Sequence, residues 1–595
     1  MLRRQDPAAE INAKFACLDI ENDKEGNVLA IGVSWREAEI INHRVFLTWD
    51  DFWRWLLPQA RQSEIFRTIY AHNGGGWDWL SFLQWYCKAK LHEKTSVGLI
   101  EAQSKLVFLD VAFMREDLKA KRGERRRLTI RFCDSMYLLR SSLNDLALKI
   151  VGQGKTEAKI EDVWWAWKND KDRFYAYLRS DCDLLLLVLE KSLDLIREKI
   201  AKIGKLGITI GSCAMSIYRT IWSHLENPIY NNFPEGVEEF CRAGYHGGRV
   251  EVFRHGHYPH INVYDLNSLY PTAMVSTPVP ISAKGGWTSR LRLDVPCGVY
   301  EICYRQSRTD IPPVLIGANA KGQYSGTGVY YTPEIALLRE VDPNALIEVK
   351  RGWVFSDSDY IFTEFVERLY RLRLEDKQSA VSLLAKFLLN SLYGKWAQRG
   401  EREKLVVFDS AESAFEAELE AAKAGKGLAP IERDSLLYTE TETTEVDHAH
   451  VGIAGMITSQ ARVLLYRMIL AAGADTVVYT DTDSIHTTSN SLDKFIGPEL
   501  GKLKLEASGE GVYCGKKLYA IRSGSDVKIR AKGISLKRKE GDFGYDLRFE
   551  QLQSLLTGVE VKTEFKRPAT FRGVLAGQQS CKLDTVLRTR KLRQT

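Results

Sequence analysis

Long apolar runs are missing from this sequence. The longest purely apolar stretch, Leu184 to Leu189, falls far short of the roughly 20 residues a membrane helix needs, so no spanning segment is expected. The N-terminus, MLRRQDPAAE, lacks the apolar segment of a signal peptide. The ten cysteines are scattered without a CxxC pair, which argues against a zinc module or a disulfide framework and favours a reducing, cytoplasmic compartment. Internal repeats and low-complexity tracts are lacking as well. Charge of one sign does not dominate either: the net charge is +6 over 595 residues, with 27% charged and 45% hydrophobic residues, ordinary values for a soluble globular protein. That length is too great for a single core, so several domains are expected. Basic residues do cluster, at Arg115 to Arg131, Lys528 to Lys539 and Arg588 to Arg593, and these are candidate phosphate-contact surfaces.

What the sequence does contain is acid in unusual places. Val477 to His486, VVYTDTDSIH, reads as two short β arms joined by a tight acidic turn. Alternation along a strand predicts Asp481 and Asp483 on one side and Thr482 on the other. Two carboxylates so close repel unless a cation lies between them, and hard oxygen ligands suit Mg²⁺ or Mn²⁺. Asn262 to Pro271, NVYDLNSLYP, adds a third carboxylate, Asp265, at the end of an apolar strand broken by Pro271. Ser379 to Trp396, SAVSLLAKFLLNSLYGKW, has helical periodicity that stops at Gly394 and aligns Lys386, Asn390 and Tyr393 at i, i+4 and i+7.

The first 200 or so residues, about one domain, hold a second acidic set. Phe15 to Glu21 reads as a strand with Asp19 and Glu21 on one face. Ile69 to Asn73 is a strand running into Gly74-Gly75-Gly76, after which Asp78 opens a helix. Tyr175 to Glu190 is a helix in which Tyr177 and Asp181 share a face. Four carboxylates there could converge on two metal ions, with a metal-activated water attacking a phosphodiester.

DLNSLYP, KFLLNSLYG and YTDTDS, in that order, resemble the three polymerase motifs of family B DNA polymerases, and Lys517-Leu518-Tyr519 resembles the Lys-x-Tyr motif that follows them. Chain length and Tyr245-His246-Gly247-Gly248 are similar to the compact protein-primed branch of phages and linear plasmids. The N-terminal stretches resemble the motifs of the DEDDy 3′-5′ proofreading exonuclease, complete in Asp19, Glu21, Asp78, Asp181 and Tyr177, although three glycines follow Asn73 and Trp77 stands where Phe or Tyr is commoner. The resemblance implies an α/β and α+β multidomain fold, a ribonuclease H-like exonuclease domain over residues 1–205, a connecting segment with the Tyr-x-Gly-Gly motif over 206–249, palm and fingers over 250–520 with fingers near 360–400, and a thumb over 521–595.

It also implies roles. Asp265 and Asp483 are the main metal ligands of the polymerase site with Asp481 supporting, and Asp19, Glu21, Asp78 and Asp181 hold two further ions beside Tyr177. Lys386, Asn390, Tyr393, Tyr270, Leu269 and Ser268 form the nucleotide site, with Tyr270 blocking a 2′-hydroxyl. Tyr245, Gly247, Gly248, Lys517, Tyr519 and Asn73 contact DNA. A lysine assists the exonuclease, and Lys149 and Lys155 are both candidates. The helix-forming, acidic Ser410 to Ala424 lies where that branch carries an insertion for strand displacement and processivity. Partners are primer-template DNA, dNTPs and a separate priming protein; the protein is expected as a monomer, in the host cytoplasm if viral or plasmid-encoded. Three rivals stay open: a polymerase that starts without a primer, a binding scaffold whose catalysis has decayed, and a nuclease alone.

Overall fold

The computed structural model describes residues 2–10, 14–23, 26–91, 95–102, 105–113, 128–155, 163–221, 229–317, 321–408, 410–431, 436–532, 548–567 and 584–590, with only the backbone course from 561 onward. Two large sheets organise it. In the first, Ala16–Asn22 pairs antiparallel with Val28–Glu37 and parallel with Thr68–Ala71, which pairs parallel with Leu128–Asp134. Strands in such a parallel centre are covered on both faces and read as apolar runs, as Ala16, Cys17, Leu18 and Ile20 do here. One face is covered by an aromatic core that includes Trp49, Phe52, Trp53, Trp79, Phe82 and Phe132. The other carries the long helix Lys171–Lys199, capped by the Asp170 carboxylate accepting from the Arg173 N–H at 3.0 Å. That helix comes so near Val28–Glu37 that a Cβ on Gly32 would lie 2.8 Å from Leu178 and 3.1 Å from Cys182. Ser34 donating to Asp183, and Arg36 paired with Glu190, fix its rotation.

This sheet has ten strands, and three of them come from far along the chain. Glu401–Val407 pairs antiparallel with Thr95–Ala102, placing Glu403 opposite Leu99 and Leu405 opposite Val97, and Leu437–Thr443 and Leu428–Pro430 extend the ladder. Leu405 is 8% exposed and belongs to the same core as Val97, Leu99 and Leu109. The predicted helix after Ser410 is present as Ala411–Lys423, between these strands. The strands between 401 and 443 are therefore built onto the N-terminal sheet.

The second sheet has seven strands, all antiparallel, with Gly256–Leu266 held between Leu503–Gly515 and Ser484–Thr487. Its outer strands on one side are Leu518–Ser523 and Asp526–Ala531, so the boundary expected at 520/521 falls inside a strand. Beside this sheet lies Val451–Ala472, a helix buried along nearly its whole length. A four-stranded sheet of Gly285–Thr288, Leu346–Phe355, Gly298–Arg305 and Ser325–Tyr331 lies alongside. The stretch 206–249, expected as a loose connection, holds the helices Ile210–Ile221 and Val237–Ala243, whose apolar faces enter the main core.

Helices Thr363–Glu375 and Ala380–Leu389 pack as a hairpin. The predicted helix to Gly394 ends earlier. Asn390 caps it, the Ser391 hydroxyl donates back to the Phe387 carbonyl at 2.7 Å, and Tyr393–Ala397 continues as a separate 3₁₀ turn. Among the described residues, no helix is long and apolar enough to cross a membrane.

Leu405→Ala is expected to destabilise the N-terminal sheet by about 2–3 kcal/mol, because it opens a cavity in that core. Urea unfolding followed by the fluorescence of Trp49, Trp53 and Trp79, which lie in the same core, reads the loss; an unshifted midpoint would mean that the strand does not pack there.

Candidate active sites

The Val477–Asp481 and Ser484–Thr487 strands form the expected hairpin, with Thr482 and Asp483 as its turn. Asp483 thus belongs to the turn and not to a strand, so simple alternation does not set its direction. Thr482 has φ 64°, and its N–H donates to the Arg249 carbonyl at 2.8 Å. A Cβ on Gly248 would come within 2.7 Å of Thr482, so glycine at 248 lets the Tyr245–Gly248 turn close against the acidic turn; at Gly247 the space is open.

Asp265 faces this turn. It lies across from Ser484, and the next N–H, of Leu266, donates to the Asp483 carbonyl at 2.8 Å. Burial, then the charges of Asp483 and Glu506, push Asp265 up to about 7, while Lys504 and Lys386 oppose them. Burial likewise raises Asp483 to about 6, with Asp481 and Glu506 adding to it and its backbone hydrogen bond opposing. Asp481 is placed differently: Lys517 donates to both its oxygens at 3.0 and 2.8 Å, and Tyr479 adds a bond at 3.1 Å. Lys517 therefore pairs with a carboxylate here. Among the described residues, two carboxylates face each other without a bonded cation, and the third has one. A cleft of about 640 Å³ opens over them, also lined by Glu506, Tyr519, Lys528 and Arg530.

Beside the cleft, Tyr270 and Tyr393 stack with ring centroids 3.9 Å apart and planes 13° from parallel. Tyr245 lies close enough for its hydroxyl to feel Tyr393. Lys386 and Asn390 are exposed. Ser268 has φ 54° and accepts from Arg373 at 2.6 Å. Leu269, by contrast, is 2% exposed and packs in the core, so its side chain does not reach a nucleotide site.

The second acidic set also assembles. Asp19 and Glu21 pair across the ladder with Gly32 and Ala30, under the long helix that carries Tyr177 and Asp181. Burial, then neighbouring carboxylates, raise Asp19, Glu21 and Asp78 above the usual range, with Asp181 foremost at Asp19 and Asp19 foremost at Glu21 and Asp78. Lys155 donates to Asp181 at 2.6 Å and stands 5.4 Å over the Tyr177 ring, so it is Lys155 rather than Lys149 that reaches this cleft. Among the described residues the other Asp181 oxygen, which is buried, has no hydrogen-bond partner. Among the described residues no three acidic, histidine or cysteine side chains close into a cage. A hard ion held at either site would complete its shell with water and phosphate oxygens, as Mg²⁺ commonly does.

Several supporting groups escaped the sequence reading. Asp134 is fully buried and accepts from the N–H groups of Asn73, Gly75 and Met136 at 2.9, 3.1 and 2.9 Å, which shapes the turn before Asp78. The glycine run has a steric reason, since a Cβ on Gly75 would strike the Leu106 carbonyl. Asn73 has φ 65° and accepts from Lys105 at 2.7 Å. Arg462 donates to the His246 and Gly247 carbonyls at 2.7 and 3.0 Å and to Glu334 at 2.7 Å, clamping the Tyr245–Gly248 turn. Of the basic clusters, Arg131 is committed to Asp110, Lys528, Arg530 and Lys532 line the cleft, and residues 114–127, 533–547 and 591–593 lie outside the described ones.

The pattern of DNA polymerase type B, organellar and viral, matches residues 166–497, more than half of the chain. The chain belongs to that family. The DNA-directed DNA polymerase of Enterobacteria phage PRD1 is 28% identical over 487 residues, covering 80% of this chain and 77% of that one. A probable DNA polymerase of Podospora anserina is 29% identical over 380 residues, 55% of this chain and 30% of the longer relative. The fold is that of Phi29 DNA polymerase, whose structure with primer-template DNA and incoming nucleotide gives a TM-score of 0.70 at 18% identity, covering 98% and 100% of the two chains.

The crowding of carboxylates in this family B chain has a pH signature. Asp19 and Glu21 hold protons more tightly folded than unfolded. Between their unfolded values, near 4, and their raised folded values, the folded chain binds more protons, so stability falls as pH rises through that window. In the presence of chelator, Glu21→Gln is expected to raise the thermal midpoint at pH 8 by about 2–4 °C and to flatten the decline, as read by scanning calorimetry.

Proposed function

We propose that this protein is a DNA-dependent DNA polymerase that adds dNMPs to a 3′ hydroxyl, or to the hydroxyl of a priming protein, and that it proofreads with a 3′-5′ exonuclease in its N-terminal domain. The observation that carries the reading is that Asp265, on a strand that pairs with the hairpin, lies beside Asp483 in the hairpin's turn, next to the stacked tyrosines 270 and 393. The structures whose fold it shares include one with primer-template DNA and nucleotide, and those are the partners proposed here.

Asp265 and Asp483, with Asp481 in support, would hold divalent ions, Mg²⁺ or Mn²⁺; when bound, such ions stabilise the charge on the attacking and leaving oxygens. The 3′ oxygen forms a bond to the α-phosphorus as the bond to pyrophosphate breaks. Lys386 neutralises the triphosphate and Asn390 supports it by hydrogen bonding. Tyr393 offers its ring to the incoming base, and Tyr270, stacked on it, occupies the space a 2′-hydroxyl would need. Lys517 orients Asp481, and with Tyr519 lies at the mouth of the cleft, where a primer end would enter. In the second site Asp19, Glu21, Asp78 and Asp181 form the ion-binding set. Lys155 orients Asp181, and Tyr177 positions the attacking water.

The test is incorporation on primed, unprimed and 3′-mismatched templates. Wild type is expected to extend the primed template and to remove the mismatch. Asp483→Ala should lower extension by at least about 10²–10³-fold and leave mismatch removal in place, whereas Asp19→Ala should do the reverse. Tyr270→Val should admit ribonucleotides. Filling of the unprimed template by wild type would replace priming by a separate protein with self-starting synthesis, and no extension with either metal would overturn the polymerase reading.

A further inference from the structure

Lys105 opens the strand Lys105–Phe113, and its side chain crosses the glycine turn to donate to the Asn73 Oδ1 at 2.7 Å. Gly76 borders both groups: a Cβ built there would lie 3.5 Å from the Lys105 Cε, 3.6 Å from its Nζ and 3.8 Å from the Asn73 Oδ1. The backbone on each side of this contact is fixed. Gly75 lies so close under the Leu106 carbonyl that no Cβ fits between them. Asn73, in the left-handed region, gives its N–H to the buried Asp134 at 2.9 Å and accepts from the Gly76 N–H at 3.2 Å.

The direction of the bond sets what the pair can recognise. An ammonium only donates, so the amide oxygen of Asn73 is the atom turned toward Lys105 and the NH₂ group is turned away. Among the described residues no carboxylate bonds this ammonium, and both side chains are partly exposed. A rim that offers only donors, one of them charged, suits an acceptor-rich anion such as a phosphodiester. The amide can also reach a base edge, which is open to it only in an unpaired strand.

Position adds a reason for the charge. Asp78 is raised by burial, then by Asp19 and then by Asp134, the residue that carries this turn, so the rim adjoins the acidic set on its Asp78 side. A strand entering there brings phosphates against like charge, and a cation at the entrance offsets the repulsion.

We propose that Lys105 and Asn73 form a phosphate-binding rim for single-stranded DNA, holding the strand whose 3′ end lies among Asp19, Glu21, Asp78 and Asp181. Lys105 contacts a phosphate and orients the Asn73 amide. The direction of the strand rests on the nuclease reading of the cleft; the contact itself does not. Lys105 binds and positions, and takes no part in bond cleavage.

The experiment compares wild type, Lys105→Met and Lys105→Arg. Binding of a fluorescein-labelled oligothymidylate is followed by anisotropy in chelator over a series of KCl concentrations, and degradation of the same strand is then measured with Mg²⁺. Lys105→Met should weaken binding about tenfold at low salt, the scale of one charge-assisted hydrogen bond. It should also make the dependence of log Kd on log[KCl] shallower by about 0.7, the share of one phosphate contact on a single strand. Degradation should suffer in KM rather than in kcat, and Lys105→Arg should keep the slope and most of the affinity. Unchanged affinity and slope in Lys105→Met would overturn the proposal while leaving the nuclease intact. Weaker binding at an unchanged slope would overturn it as well, because it would mark Lys105 as a support of the glycine turn alone. If wild type degrades nothing yet the slope still depends on Lys105, the rim stands and the nuclease reading falls.

Discussion

Repulsion between carboxylates is what both sites are built against. Next to burial, a neighbouring carboxylate raises the proton affinity of each: Asp483 that of Asp265, Asp481 that of Asp483, Asp181 that of Asp19, and Asp19 that of Glu21 and Asp78. Their own interactions would drive these side chains apart. Backbone ladders keep them together: the Leu266 N–H bonded to the Asp483 carbonyl in one site, and the Ala16–Asn22 strand held between two neighbours in the other. The cost is spread over sheets whose cores are large enough to bear it, which is the usual relation between stability and a strained functional site. In each site one carboxylate already has a lysine, Asp481 with Lys517 and Asp181 with Lys155. Those two lower the local charge without filling the place of a hard cation.

Around each acidic cluster lies a tier of groups that touch backbone. Asp134 collects three N–H groups under the turn that leads to Asp78. Arg462, buried with Glu334, holds the carbonyls of His246 and Gly247, and Arg249, buried with Glu251, offers its own carbonyl to the Thr482 N–H. Buried ion pairs contribute little net stability, but removing one partner strands the other. Here their geometric effect is plain, since they fix the Tyr245–Gly248 turn against the acidic turn of the hairpin.

The sequence made the strands and helices that bear acids legible, because the acids stand in apolar runs with clear periodicity: YTDTDS read as a hairpin, FACLDIE as a strand and YLRSDCDLLLL as a helix. It was less informative where a choice depends on long-range packing. Lys149 and Lys155 are equivalent in sequence, and only the path of the chain toward Asp181 separates them. Leu269 stood next to Tyr270 in a motif, yet helix geometry turns it into the core. Glu506 was not singled out in the sequence; the ladder shifts register between Leu505 and Ala507, and Glu506 lines the cleft. The helix expected to reach Gly394 ends at Leu389, with Asn390 as its cap and a separate 3₁₀ turn after it, an outcome that periodicity does not encode. Least legible was the pairing of Glu401–Val407 with Thr95–Ala102, since nothing in either strand names its partner.

That pairing bears on how such a protein can be divided. Thr95–Ala102 would be an edge strand if the N-terminal domain ended with its own segment of chain, and bare edges offer their N–H and C=O groups to any strand that passes. Here the edge is closed by a segment that follows the fingers. The two halves are thus joined twice, once along the chain and once across hydrogen bonds. An N-terminal fragment cut out before residue 206 would carry an open, adhesive border, and exchange of either half between relatives would have to carry its matching strand along.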